Sequence, residues 1–158
     1  MADLPATTSK PLGEDHDGNL LIRWPHEYLR QHGGLVHSYG ESTPALNLWV
    51  LSVWESECVK GADMIGKTFA IEHAICGPAT FINEESGEEA DGIRTLFLGP
   101  NHPPIAFSAK AAWDAIGKLT KAIGHGPPWD PPVMVLLKQV AARGARRTYR
   151  FIPQIEAP

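Results

Sequence analysis

The sequence has little of several features that mark specialised classes of proteins. Only two of its 158 residues are cysteines, Cys58 and Cys76, too few for the disulfide framework of a small secreted domain. No apolar run approaches the length of about 18 residues that a membrane-spanning helix needs. Residues 1–18 are polar and partly acidic, without the apolar core of a secretory signal. These absences predict a cytoplasmic protein without a membrane partner.

Charge is unevenly distributed along the chain. Residues 1–93 carry 5 Lys and Arg against 15 Asp and Glu, whereas residues 94–153 carry 9 against 2. The overall net charge of −4 therefore conceals a C-terminal segment of strongly positive charge. Because phosphate binding depends on the local field and not on the whole-chain pI, this segment is a candidate for binding an anionic partner.

Composition divides the chain into four segments. Residues 1–20 are polar and rich in acids, which predicts a flexible arm. Residues 21–60 contain aromatic groups broken by Pro and Gly, and we expect an extension that packs on the main domain. Within it, the run LWVLSVW at residues 48–54 fits either a strand or one buried helical turn. Residues 61–153 form the main domain, and residues 154–158 a short tail.

Periodicity predicts five strands and one helix in the main domain. Apolar alternation indicates strands, whereas the spacing of Ala112, Ile116 and Leu119 indicates an amphipathic helix. In chain order the elements are a strand over 69–83 bent at Gly77-Pro78, strands over 93–98 and 105–107, a helix over 108–123, and a hairpin of strands over 133–140 and 146–152. A helix between the third and fourth strands predicts a mainly β, α+β domain, a five-stranded OB-fold barrel.

One motif suggests a different chemistry. Residues 61–68, GADMIGKT, satisfy G-x-x-x-x-G-K-[ST], the P-loop that holds phosphates at a helix N-terminus. The residues after Thr68 alternate as in a strand, and Asp63 would place a negative charge inside the anion site. We therefore expect a turn that opens the first strand, and keep a nucleotide-binding protein as the less favoured alternative.

Other chemistry-bearing residues are sparse. Cys58, His73 and Cys76 lack the fourth ligand and the paired knuckles of a structural zinc site. No G-x-S-x-G elbow occurs, and the acids of residues 84–91 are typical of a solvated loop. We expect no metal, no cofactor and no catalytic residue, and hence a protein that is not an enzyme.

The strongest functional pattern is a basic hairpin. Tyr149 and Phe151 are interleaved with five basic residues, namely Lys138, Arg143, Arg146, Arg147 and Arg150. In an OB-fold, the loop between the last two strands and the face of the second and third strands bind oligonucleotides.

Lys67, Arg94 and Phe107 are predicted to complete that groove, with phosphates on the cations and bases stacked on Phe107 and Tyr149. The alternative places the aromatic residues in the core and the charges on an edge that resists aggregation. Alternation leaves open whether Arg94 lies on the groove or at the mouth of the barrel.

Four stretches carry a family resemblance: GKTFAIEHAI, DGIRTLFLG, GPPWDPP and VLLKQVAARGARRTYRF. They are similar to small single-stranded DNA-binding proteins of phages and other bacterial mobile elements. The resemblance covers residues 66–153 and implies an OB-fold, sequence-tolerant binding of single strands, and a role in replication or recombination. It points to Arg94 and to the hairpin from Lys138 to Arg150. Residues 1–60 have no counterpart in a minimal OB domain, and the end, PQIEAP, is not an acidic partner-recruiting tail.

Other interpretations stay open at this point. The domain could be a protein-interaction or assembly module that uses the Trp-rich residues 20–54 and binds no nucleic acid. For the favoured interpretation, the expected partner is single-stranded DNA, with RNA as the alternative. The sequence also leaves a homo-oligomer open.

Overall fold

The computed structural model describes residues 35–40, 43–82, 86–108, 110–141 and 147–158. Its elements in chain order are β1 (Val36–His37), α1 (Pro44–Trp54), β2 (Val59–Lys60), a 3₁₀ turn (Gly61–Met64), β3 (Thr68–Ile71), β4 (His73–Ile82), β5 (Glu89–Gly99), β6 (His102–Phe107), α2 (Lys110–Ile123), β7 (Val133–Ala141) and β8 (Arg147–Pro153). The predicted arm of residues 1–20, the extension up to residue 34, and the predicted site residues Arg143 and Arg146 lie outside the described residues.

The strands form two sheets that are connected through one bent segment. The five-stranded sheet has the order β1-β4-β5-β6-β2, and the three-stranded sheet has the order β3-β7-β8. At Glu72 the chain passes from β3, which pairs with β7, to β4, which pairs with β5. The bend was predicted at Gly77-Pro78, but both residues lie inside β4 and pair with β5.

The mainly β, α+β class is confirmed, but the described strands do not close into the predicted five-stranded barrel. Closure would require β6 to pair with β8, and their described residues form no such ladder. The second edge of β6 is instead occupied by β2, which pairs in parallel with Ile105 and Ala106. Directly after β2, Gly61 lies against the ring of Phe107 so closely that no side chain would fit. The extension thus occupies the edge that closure would need.

The main core lies between the two sheets and is covered at one end by α2. It contains a cluster of aromatic rings, with Phe97 and Phe107 from the five-stranded sheet facing Phe69 of β3. Helix α2 contributes Trp113 and Ile116 to the same core. The predicted amphipathic helix is therefore confirmed, and it ends at Gly124, whose φ of 101° suits glycine.

A second, smaller core lies on the other face of the five-stranded sheet. Helix α1 packs Val50 against Ile75 and Leu96, so both faces of β4 and β5 are buried. The run LWVLSVW is thus helical, and the helix begins at Pro44, after the N-cap residue Thr43, whose Oγ1 accepts a hydrogen bond from the Leu46 amide at 3.2 Å. The other side of α1 leaves Leu48, Trp49 and Leu51 exposed, so this segment is not the buried turn considered above.

Candidate nucleic-acid interface

The hairpin of β7 and β8 places two basic residues face to face. Lys138 lies directly opposite Arg150 in the register, and both side chains are exposed. Arg147 is also exposed, opposite Ala141 at the end of the ladder. Within the part of the chain that the structure describes, no carboxylate lies within ion-pairing distance of these cations. Like charges directly opposite each other destabilise a sheet, so this surface favours an anion.

Apolar side chains continue the same surface away from the cations. Because alternate residues share a face, Met134 and Leu136 lie on the side of β7 that carries Lys138. Ile152 of β8 lies opposite Leu136. Met134 is 42% exposed, whereas Leu136 and Ile152 are half-buried. We call this surface, formed by the outward residues of β3, β7 and β8, the open face.

The aromatic residues that were expected to stack on bases point the other way. Phe107 is only 1% exposed, and its ring lies 5.1 Å from that of Phe151 and 5.4 Å from that of Tyr149. The prediction that Phe107 stacks on a base is therefore wrong, because core residues surround the ring. Tyr149 is half-buried and keeps part of its surface exposed beside α2. Tyr149 and Phe151 both pack against the core, as the alternative interpretation held.

Arg94 lies on a different surface from the hairpin cations. Its guanidinium donates a hydrogen bond to the Trp54 carbonyl at 2.7 Å, contacts the Cys58 sulfur at 3.7 Å, and lies 4.7 Å from the centre of the Trp54 ring. A cation at the C-terminus of a helix also interacts favourably with the helix dipole. Arg94 therefore fastens the end of α1 to β5, and a phosphate contact by this residue stays a prediction.

Lys67 lies next to β7 but not on the open face. Its backbone carbonyl accepts the Leu137 amide at 3.1 Å, while its side chain is exposed. Opposed residues of an antiparallel pair share a face, and Leu137 points into the core, so Lys67 lies on the core side of the sheet just before β3, where its side chain is exposed to solvent. The structure thus brings the Lys67 backbone close to Lys138 without aligning their side chains.

The structure explains both glycines of the P-loop motif without a phosphate site. Gly61 is required by the close contact with Phe107, and Gly66 has a φ of 82° in the turn before β3. Thr68 begins β3, so a strand follows the motif where a phosphate site requires a helix. The geometry agrees with the predicted turn.

A polar cluster fastens β1 to the start of β4. The ring of Tyr39 stacks on His73 with centroids 3.9 Å apart, and Ser38 Oγ lies 2.9 Å from His73 Nδ1. Ser38 Oγ also accepts the Ala74 amide at 3.1 Å. Nearby, His37 is 1% exposed and its Nδ1 accepts the Tyr39 amide at 3.1 Å. No spacing in the sequence indicated this cluster.

Burial determines the protonation of the two histidines in this cluster. Loss of hydration lowers the pKa of His37, against the opposing effect of a hydrogen bond with Asn47. Loss of hydration likewise lowers the pKa of His73, against the opposing charge of Glu72, whose carboxylate is 3.8 Å away. Burial also raises the pKa of the Tyr39 hydroxyl. Both imidazoles are therefore held neutral at pH 7.

A groove lies between α2 and β8, beside the open face. Its cavity volume is about 430 Å³, and β8 borders it with the edge that does not pair with β7. Its lining residues are Ala111, Asp114, Ala115, Lys118, Leu119 and Ala122 on the helix side, and Thr148, Tyr149, Arg150, Phe151 and Pro153 on the strand side. Lys118 was not among the predicted site residues, because it lies on the polar side of α2 far from the hairpin in sequence.

Other kinds of site have little support in the described geometry. Among the described residues, no group of His, Cys, Asp and Glu side chains could hold a metal ion. Neither α1 nor α2 is long and apolar enough to cross a membrane. Comparison of the chain with protein-family models, curated proteins and solved structures found no match. Function must therefore be inferred from these residues and their arrangement.

Proposed function

We propose that this protein binds single-stranded nucleic acid, chiefly DNA, without catalysing a reaction and with little dependence on base sequence. The observation that carries the proposal is the exposed cross-strand pair of Lys138 and Arg150, which has no carboxylate beside it in the described chain. A phosphate bound between them would remove their mutual repulsion. Single-strand binders of this kind track the backbone with such cations, and the natural setting is replication or recombination.

The strand connectivity supports an OB-like architecture for this function. If β3 and β4 are one bent first strand, it pairs with the second strand β5 and with the fourth strand β7, and β5 continues to the third strand β6. Helix α2 follows the third strand, and β7 and β8 form the final hairpin. The OB-fold is a partly open Greek-key barrel that binds oligonucleotides through the loop between its last two strands. That loop contains Arg143 and Arg146.

The proposed contacts differ from the initial prediction in their location. We place phosphates along the hairpin at Lys138, Arg147 and Arg150, and the contacts predicted at Arg143 and Arg146 lie outside the described residues. The outer face of β5 lies off this path, because α1 covers Leu96 and engages Arg94. Lys67 remains a proposed outer contact.

Fluorescence anisotropy with labelled oligo-dT, oligo-rU and a matched DNA duplex over a salt series tests this proposal. The single strand should bind more tightly than the duplex. The logarithm of its binding constant should fall with the logarithm of the salt concentration, and the size of this salt slope should be about 0.7 per phosphate contact. Lys138→Gln combined with Arg150→Gln should reduce that slope by about 1.4 and weaken binding by about 25-fold at about 0.1 M salt.

The control for this double variant is Lys60→Gln, which changes an exposed lysine of β2, in the five-stranded sheet and outside the hairpin. It should leave the slope unchanged. No binding of oligo-dT at low salt, or equal effects of the hairpin and control substitutions, would overturn the proposal.

A second candidate function is protein assembly, and one observation favours it. Helix α1 exposes Leu48, Trp49 and Leu51, at 67%, 46% and 46% respectively. Clustered exposed apolar residues often mark interaction surfaces. Self-association that persists at high salt, together with no affinity for oligo-dT, would favour this function over nucleic-acid binding.

A further inference from the structure

The groove between α2 and β8 combines a flat apolar wall with cations on both rims. Tyr149 of β8 is half-buried and lines the groove, and the small side chains of Ala111 and Ala115 line the helix side. Lys118 on the helix and Arg150 on the strand are both exposed. The volume of about 430 Å³ is within the range of small-molecule sites, roughly 300 to 1,000 Å³. An aromatic ring attached to phosphate matches this combination.

The charges in the groove indicate how such a ligand would be oriented. Asp114 lines the groove and would repel a phosphate that entered it. A carboxylate instead accepts hydrogen bonds from N–H groups, which nucleobases carry on their edges. The base therefore belongs inside the groove, and the flanking phosphates belong on the rims at Lys118 and Arg150.

The groove is continuous with the open face. Arg150 pairs with Lys138 across the hairpin and also lines the groove, so the cations run from Lys138 through Arg150 to Lys118. A nucleic-acid single strand that follows these cations would cross the free edge of β8 and reach the groove. On the opposite surface, the predicted path at Arg94 is occupied by Trp54.

We infer that this groove binds one nucleotide of the single strand, with its base against Tyr149 and its phosphates at Lys118 and Arg150. The inference rests on the proposed function and deepens it, because it assigns a base-binding subsite outside the hairpin. Base–aromatic contacts of this kind tolerate any sequence, since every base has a flat apolar face.

Two lysines on the same helix provide a matched test. Lys118 lines the groove, whereas Lys121 is exposed on α2 but does not. In anisotropy with oligo-dT, Lys118→Gln should reduce the salt slope by about 0.7 and weaken binding about fivefold at about 0.1 M salt. Lys121→Gln should match the wild-type protein in both quantities. Thermal unfolding of both variants shows whether either substitution perturbs the fold.

Photocrosslinking locates the base directly. An oligo-dT that carries 5-bromodeoxyuridine is irradiated on the full-length protein, and the modified residue is mapped by mass spectrometry. Crosslinking to Tyr149, reduced in Lys118→Gln but not in Lys121→Gln, would support the inference.

Three outcomes would overturn the inference alone, and a fourth would overturn the proposed function with it. If oligo-dT binds but the crosslinks map away from the groove, the inference fails while single-strand binding stands. If the two lysine variants behave alike, the inference also fails. If an Asp- and Glu-rich peptide binds in a Lys118-dependent way while oligo-dT binding ignores Lys118, the groove serves a peptide. Absence of any oligo-dT binding would overturn the inference and the proposed function together.

Discussion

The outer faces of the two sheets differ in how they are covered. The five-stranded sheet is covered on its outer face, where α1 packs Val50 and Trp54 against β4 and β5. Among the described residues, no element covers the outer face of the three-stranded sheet, where Met134 is exposed on the same side of β7 as Lys138. A basic residue occurs on each face, but the chain satisfies Arg94 internally and leaves the hairpin cations without an anionic partner in the described residues.

This difference teaches that a basic residue on a strand is informative only with its surroundings. Arg94 hydrogen-bonds a helix end, so it stabilises the fold, whereas Lys138 and Arg150 repel each other across a ladder. Substitutions on the outer face of the five-stranded sheet, the covered face, should therefore change the free energy of unfolding. Substitutions on the open face should change ligand binding. The predictions that follow test this division.

The largest effect is expected from a matched pair of leucines. Leu96 is fully buried on the covered face, and Leu136 is half-buried on the open face. Leu96→Ala should lower the free energy of unfolding by about 3 kcal/mol, because it leaves a cavity between β5 and α1. Leu136→Ala should lower it by about 1 kcal/mol, since water already reaches that side chain. Urea denaturation measures both, and equal losses would contradict the division between the faces.

A pair of arginines should separate stability from binding. Arg94→Gln removes the charged partner of the Trp54 carbonyl and should destabilise the protein by about 1.5 kcal/mol, with the salt slope for oligo-dT unchanged. Arg150→Gln relieves the repulsion with Lys138, so its stability should stay within about 0.5 kcal/mol of the wild type.

The two arginine variants are then compared in binding. Arg150→Gln should reduce the salt slope by about 0.7, as the loss of one phosphate contact requires. If Arg94→Gln reduced the slope equally while the protein stayed folded, the covered face would also bind the strand. That result would restore the groove predicted from the sequence.

The covered face should also make stability depend on pH. His37 and His73 have lowered pKa values in the folded protein, so the unfolded chain binds more protons at mildly acidic pH. Their contribution to stability is complete above the ordinary histidine pKa of about 6.5 and is lost as the pH falls through the lowered values. Glu72 faces His73 and opposes this trend, but burial dominates.

A comparison of urea midpoints at about pH 7.5 and about pH 5 measures this dependence. The variant His73→Gln should lose less stability on acidification than the wild type, because one titrating group has been removed. His125→Gln, which changes an exposed histidine outside the cluster, should lose as much as the wild type. An equal loss in both variants would show that His73 does not carry the effect.

The elements that could be predicted from sequence are those with a local signal. Strands β7 and β8 have alternating residues and lie close together in sequence, and α2 has its apolar residues on one side. Helix α1 has apolar residues on both its buried and its exposed side, since Val50 is buried while Leu48 and Leu51 are exposed. Its sequence therefore shows no amphipathic period. The start of α1 did carry a usable signal, because Thr43 is an N-cap residue and Pro44 occupies the first helical position.

The side of a strand on which a residue lies was harder to predict. Leu96 and Phe97 are both fully buried, so alternation in β5 could not assign Arg94 to either face. Phe107 and Tyr149 are chemically suited to stacking, and only tertiary contacts place one in the core and leave the other partly exposed. Lys118 and Arg150 line the same groove because α2 packs on β8, and this proximity cannot be predicted from their spacing in the sequence.

The smallest effect on stability is expected from the exposed side of α1. Leu48→Gln combined with Leu51→Gln replaces side chains that are 67% and 46% exposed, so the free energy of unfolding should change by less than about 0.5 kcal/mol. If the open face carries the function, oligo-dT affinity should also be unchanged, because neither residue contacts the hairpin path. Sedimentation velocity of this variant and the wild type then decides between the two candidate functions. A wild-type oligomer that dissociates in the variant, together with reduced oligo-dT affinity, would show that assembly through α1 supports binding, and the covered face would then have a functional role of its own.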